Sequence, residues 1–332
     1  MRSIDYSALE MPLSEADMVA YKQQYGGSWL PTSPRPGWTL LSVAGAAVLT
    51  AIVYANTWLM VLSIVVAMAA GVAGVVALVY LDVTQRRTRM ARFAAQNGAT
   101  FVKDQENPSL PGLIFDEGND RVLRESITFS DGTVLGAHEF TTGSGKNRTV
   151  NRWGFVSVKL SRKLPNMVLD SEKNNFFGVI SNLPDTFAKD QKLSLEGDFD
   201  KYFSLYAPRQ YETDALYIFT PDVMQAAIDH GGGYDMEVVD DTFYVYIQIG
   251  ADLSKAETIK NLLDIVSKVG TEIEHQGDYY SDERVGDRSL NMVAAPGQRL
   301  RGGFSWLIVV LVVFYAVGML MQLLGATTFI QP

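Results

Sequence analysis

The chain has 332 residues, with 28 Lys and Arg, 37 Asp and Glu, 12 Pro, 28 Gly and no Cys. No charged side chain falls in 38 to 81 or in 304 to 324, so the remainder is about 24 % charged, close to the ~25 % of an ordinary soluble domain. This mixture of two materials excludes a purely soluble protein, a disordered chain and a disulfide scaffold. Without Cys, zinc-thiolate sites, iron–sulfur clusters and thiol nucleophiles are excluded as well. The three His, at 138, 230 and 275, have no metal-ligand spacing; no metal and no cofactor are expected.

Residues 1–37 form a polar N-terminal segment. The run from Trp38 to Leu81 then has 44 residues without an ionisable side chain. One helix of that length would measure ~66 Å against a hydrocarbon core of ~30 Å, so the run must fold back. Asn56-Thr57 is the polar pair near its middle, and a transmembrane helical hairpin over 38–81 is expected. Phe304 to Leu324 reads as a third transmembrane helix, leaving 325–332 as a tail. A signal peptide fits poorly, since 37 residues precede the first run and a second span follows it directly.

Orientation follows from the basic residues at the span ends. Arg86, Arg87, Arg89 and Arg92 lie just after the second span, and Arg299 and Arg301 just before the third. This predicts a multi-pass membrane protein with the N-terminus and residues 82–303 cytoplasmic and the C-terminus external. It also predicts that the four arginines form a collar against anionic lipid of the bilayer.

Residues 82–303 hold 25 basic and 33 acidic side chains, a net charge of −8. Nucleic acid is therefore a poor partner for this domain. Along it, Thr84 to Asn97 reads as a helix leaving the membrane, stopped at Asn97-Gly98. Val122 to Phe129 alternates as a strand with Leu123, Ile127 and Phe129 on one face, and a turn at Asp131-Gly132 returns it as Val134 to Thr141. A loop over Gly143 to Arg148 leads to a strand from Trp153 to Leu160. Met167 to Leu169 and Leu193 to Leu195 read as short strands around the polar stretch Ser171 to Asp190. Pro221 to His230 reads as a helix with Thr220 as N-cap. Met236 to Val239 and Phe243 to Ile249 read as a hairpin turning at Asp240-Asp241. Ser254-Lys255-Ala256-Glu257 reads as a capping box opening an amphipathic helix to about Gln276, and Gly277 to Gly303 as a charged tether. Strands followed by helices give a cytoplasmic α+β domain with a mainly antiparallel sheet.

Few residues point to chemistry. A phosphate-binding loop would need Gly five positions before Gly145 and Ser or Thr after Lys146, and Phe140 and Asn147 stand there instead. Lys146, Arg148 and Arg152 are candidate contacts for an anion or a partner, with a solvated hairpin tip as the bland alternative. Asp198 and Asp200 flank Phe199 and could place two carboxylates together for acid/base work, or simply accept backbone hydrogen bonds in a turn. His138 shares a strand face with Val134 and Phe140, which suits a structural histidine better than a base. Tyr244 and Tyr246 alternate with Phe243, Val245 and Ile247, so one set could face a helix and the other a partner; core on both faces is the favoured reading. No Gly-x-Ser-x-Gly is present.

The phrases Thr141 to Arg148 with Arg152-Trp153-Gly154, Leu164 to Asp170, Leu195 to Phe203 and Ala215 to Asp222 resemble a family of uncharacterised bacterial membrane proteins common in actinobacteria, catalogued as a domain of unknown function. The resemblance covers roughly 141 to 246. It implies a bacterial plasma membrane and a cytoplasmic domain, and brings no activity, cofactor or catalytic residue with it.

Two function classes remain. One is a membrane-anchored cytoplasmic interaction or accessory module with a protein partner, favoured because the spans hold no intramembrane charge that would mark a transport path. The other is an unrecognised enzyme of the inner leaflet using Asp198, Asp200 or His138.

Overall fold

The computed structural model describes residues 4–27, 31–54, 58–175, 181–195, 197–248, 253–303, 313–320 and 322. They form two units. The first comprises Met1–Leu110, Gly118–Lys159 and Tyr246–Ser267; the second comprises Pro111–Glu117, Leu160–Val245 and Lys268–Pro332. Each is α+β with antiparallel pairing.

The first unit opens with α1 (Ser7–Glu10) and α2 (Glu15–Tyr25). In α2, Ser14 and Asp17 form a reciprocal capping box. Residues 1–37 are thus more than a polar leader: Asp5 N–H donates to Asn97 Oδ1 at 2.8 Å and the Tyr6 ring stacks on Phe93 at 5.8 Å.

Two long helices follow, α3 (Arg35–Val53) and α4 (Trp58–Gln96), both long and apolar enough to cross a membrane. They pack on small residues. A Cβ at Gly37 would meet Leu78 Cγ at 2.7 Å, and one at Gly74 would meet Leu41 Cγ at 2.9 Å and the Gly37 carbonyl oxygen at 3.0 Å. Glycine at both positions lets the backbones approach closely, as in helix pairs in lipid. Trp38, Leu49, Ile52, Val53, Trp58 and Val72 are left exposed on these two helices. Of the third apolar run, 313–320 and 322 are helical and the rest lies outside the described residues. Two such helices, rather than three, are therefore established among the described residues.

The helix expected over Thr84 to Asn97 is the tail of α4, which continues past the apolar stretch without a break. Met90, Phe93 and Ala94 on that tail are buried. β1 (Thr100–Glu106), β2 (Asn119–Thr128), β3 (Val134–Thr142) and the first part of β4 (Thr149–Ser171) pair in order. The β3–β4 register runs from Val134 opposite Ser157 to Thr142 opposite Thr149. β2 carries an extra residue between Arg124 and Ile127. The residue turned there is Glu125, at φ 53°, in a bulge that re-aims its side chain.

In the second unit the end of β4 pairs β6 (Phe203–Tyr206), which also pairs the two-residue β5 (Lys192–Leu193); β7 (Asp235–Gln248) pairs β4 as well. Helices α5 (Glu212–Ile218) and α6 (Pro221–Gly231) lie between β6 and β7, and α7 (Ala256–Gly277) follows, its residues up to Ser267 belonging to the first unit. Three expectations are corrected here. The strands read separately at Trp153 and Met167 are one long β4. The hairpin read at Asp240-Asp241 is one strand in which Asp240 takes φ 54°; the acidic pair that mimics a turn supplies a left-handed kink, and Arg299 pairs with Asp240 at 3.1 Å. The tether from Gly277 to Gly303 is docked, with Tyr280, Asp282 and Val293 buried.

Candidate functional site

In the first unit the arginines after the apolar stretch of α4 are tied into protein. Arg86 Nη2 donates to Glu125 Oε1 at 2.9 Å, and Arg87 Nε donates to the same oxygen at 3.0 Å. Glu125 is only 1 % exposed, and Arg152 approaches its other oxygen at 3.7 Å. The chain of charges extends outward. Asp104 accepts from Arg87 at 3.2 Å and from Arg124 at 2.8 Å, while Glu139 pairs with Arg124 and lies 3.5 Å from Arg152. Burial works against the Arg124 charge, yet its hydrogen bonds to Glu139 and Asp104 carry its pKa above the ordinary value. Arg152 is shifted down, by burial first and then by Arg86.

Three of the four arginines expected to form a collar against lipid have carboxylate partners within the protein. Arg86 and Arg87 hold the helix tail to the sheet, and Arg92 pairs with Asp17 of α2 at 3.3 Å. Arg89 is half-buried beside Glu10 and Glu257, in a depression of about 500 Å³.

The three basic residues grouped on the 143–152 hairpin separate in the same way. Lys146 is exposed at the tip, Arg148 pairs with Asp120 at 2.8 Å with both side chains in solvent, and Arg152 belongs to the Glu125 cluster. Asp120 sits at a second extra residue of β2, with φ 51°.

His138 is fully buried on β3, opposite Trp153 and 5.7 Å from the Phe140 ring. Burial, with Arg121 adding to it, lowers its pKa to about 4, so it is a neutral core imidazole at pH 7. Asp198 is exposed and pairs with Lys201 at 2.7 Å. Asp200 accepts from Ser194 Oγ at 2.5 Å and from Leu195 N–H at 3.1 Å, the turn-forming role. The two aspartates lie in the second unit and His138 in the first, each among its own partners. Tyr244 and Tyr246 do not form an open partner face: they are 1 % and 0 % exposed. Phe243, Val245 and both tyrosines are buried alike, since this part of β7 is covered on both faces.

The second unit holds an aromatic cleft that sequence reasoning missed. Asp282, buried in the docked 277–303 segment, accepts from Tyr211 Oη at 2.6 Å, Ala294 N–H at 2.8 Å and Arg284 N–H at 2.9 Å. Burial alone would raise its pKa, but these bonds hold it below the ordinary value. The Arg284 guanidinium lies 3.9 Å over the Tyr211 ring and pairs with Asp214 at 3.1 Å. Asp214 also accepts from Tyr280 Oη at 2.9 Å. Around this pair opens a cleft of about 670 Å³ lined by Thr213, Asp214, Tyr217, Tyr279, Tyr280 and Arg284 among others. Tyr279 is 77 % exposed and Tyr217 is 45 % exposed. Two open phenol rings beside a fixed Arg–Asp pair offer apolar area with polar rims, suited to a partner's side chain. The legible signal was Ser281-Asp282-Glu283-Arg284 next to Tyr279-Tyr280, inside a stretch read as linker.

No protein-family model matches the chain, and no curated protein matches it. Among solved structures it is similar to the mycobacterial trehalose monomycolate transport factor A, at 10 % identity and a TM-score of 0.39, over 57 % of this chain and 94 % of that one. A likeness at that score supports no conclusion about function. The resemblance over 141 to 246 has no family model behind it.

Proposed function

We propose that the protein is a membrane-anchored accessory module of a bacterial plasma membrane. The observation that supports this most directly is α4, which runs for 39 residues from the exposed apolar hairpin into the Glu125 cluster. A continuous helix clamped at its far end holds a folded unit at a set height above the bilayer. In this reading α3 and α4 span the membrane and 304–324 forms a third span. The N-terminus and 82–303 are cytoplasmic, with 325–332 outside, and a protein partner engages the cleft at Tyr217 and Tyr279.

Single cysteines in the Cys-free chain test the placement. A membrane-impermeant thiol reagent applied to intact cells is expected to label Thr328→Cys and to leave Ser130→Cys unlabelled; the reverse pattern refutes the topology. A photo-crosslinking residue at Tyr279 tests the module: a discrete protein adduct lost on Tyr217→Ala supports it. Adducts insensitive to that change count against it.

A further inference from the structure

The cleft at Tyr217 and Tyr279 offers ring faces and acceptors, while its guanidinium is already taken. Arg284 Nη1 donates to Asp214 Oδ1 at 3.3 Å and to Asp282 Oδ1 at 3.2 Å. Its Nη2 donates to Asp214 Oδ2 at 3.1 Å and to the Gln210 carbonyl oxygen. The Tyr211 ring covers the same group at 3.9 Å. A carboxylate or phosphate on a partner would have to break charge-assisted bonds before it could use Arg284.

Carboxylates outnumber that one cation. The charged residues lining the cleft are Asp214, Glu283 and Arg284, a net charge of −1, and the buried Asp282 draws on the same guanidinium. The Glu283 side chain is 73 % exposed, and its pair with Arg288 at 3.0 Å lies in solvent, where exchanging one cation for another costs little. The phenols register the local field. Burial comes first in pushing the Tyr280 and Tyr211 hydroxyls above their ordinary pKa, and Asp214 and Asp282 add to it at both.

The rings complete the picture. Tyr217 lies 6.5 Å from Tyr280 at an interplanar angle of 40°, and Tyr279 meets the His275 ring at 6.4 Å and 90°; Tyr217 and Tyr279 otherwise stand open. An aromatic face attracts a cation, and a planar guanidinium can stack on a ring while its fork engages a carboxylate. The fold already uses that combination where Arg284 lies over Tyr211 and binds Asp214. A second guanidinium arriving from outside finds the same two elements in the open rings and Glu283.

We propose that the cleft binds an arginine side chain of the partner protein, its guanidinium stacked on the open tyrosine rings and paired with Glu283; this rests on the accessory-module reading above.

The test uses the full chain in detergent micelles with 3-fluorotyrosine at position 279, read by fluorine NMR. The probes are N-acetyl-arginine methylamide, the citrulline derivative of the same shape without the charge, and the glutamate derivative. The arginine probe is expected to shift the resonance saturably, the citrulline probe to bind at least ~3-fold more weakly, and the glutamate probe to give no saturable shift. Glu283→Gln should weaken the arginine probe about 2-fold, and Tyr217→Leu, which keeps apolar bulk without a ring face, at least ~3-fold. If Tyr217→Leu fails to fold, Glu283→Gln decides, since that side chain stands in solvent. No saturable shift with the arginine probe, equal binding of the citrulline probe, or binding unchanged in every variant that folds overturns the proposal. The photo-crosslink at Tyr279 keeps the two readings apart. Absence of a protein adduct refutes the module, whereas an adduct formed equally well in Glu283→Lys, where a like charge meets the arginine, overturns this inference alone.

Discussion

The two units treat buried carboxylates in opposite ways. In the first, Glu125 is enclosed by Arg86, Arg87 and Arg152, so that its charge is met by several guanidinium groups. In the second, Asp170 and Asp235 are enclosed by amides, hydroxyls and backbone, and no basic side chain forms an ion pair with either among the described residues. A buried charge that is fully paired acts as a fastener, because removing one partner strands the others in low dielectric. A buried carboxyl met only by neutral donors is instead pushed toward its protonated form. The contrast separates the part of the molecule that fixes geometry from the part able to respond to its surroundings.

The sharpest way to break that contrast is Glu125→Ala. Three arginines would lose their common partner, and the unfolding free energy of the full chain should fall by about 3–5 kcal/mol; a loss under ~1 kcal/mol in chemical denaturation would make the cluster an ordinary surface network. Next in size is the pH response of the first unit. The His138 pKa is depressed from its ordinary 6.5 to about 4, so between those values the unfolded chain takes up a proton that the native state refuses. Its contribution is present above pH 6.5 and is lost as the pH falls toward 4, by up to ~3 kcal/mol. Melting curves across that window should flatten in His138→Gln. Gly74→Val should follow, forcing Leu41 and the Gly37 carbonyl away and weakening the α3–α4 contact by roughly 1–3 kcal/mol; the readout is disulfide cross-linking between cysteines placed on the two helices. Smallest is Asp198→Asn in the second unit. An exposed pair with Lys201 contributes little, so the melting temperature should match that of the wild type.

What was readable in the sequence follows the range of the forces involved. The apolar hairpin is written in a charge-free run, and the helices from Pro221 and from Ala256 in their stops and periodicity, because apolar composition and helical phase are local properties. Asp240-Asp241 misled because the same residues that make turns also take the left-handed conformation inside a strand. Glu125 left a trace, standing in the gap of the Leu123, Ile127 and Phe129 stripe, but its partners lie 38 and 39 residues away on α4. Alternation alone did not locate the bulge that aims it. Tyr244 and Tyr246 left a partner face and a core on both faces both open, because alternation states which residues share a side, never what covers it. The Asp282–Arg284–Tyr211 network joins residues some 70 apart in the chain, beyond any window of periodicity.

The unbroken course of α4 through Leu81 and into Arg86 sets more than a distance. A helix has a bearing as well as a length: each residue turns the chain by about 100° and advances it by about 1.5 Å. One residue inserted between Leu81 and Arg86 would leave the Glu125 cluster assembled, yet rotate it by more than a quarter turn about the helix relative to the Gly37–Gly74 contact. Seven residues would restore the bearing to within ~20° and raise it by about 10 Å. Length changes in this stretch should thus be tolerated in steps of whole turns, and the compass direction of the Glu125 cluster about α4 becomes a quantity encoded in residue count.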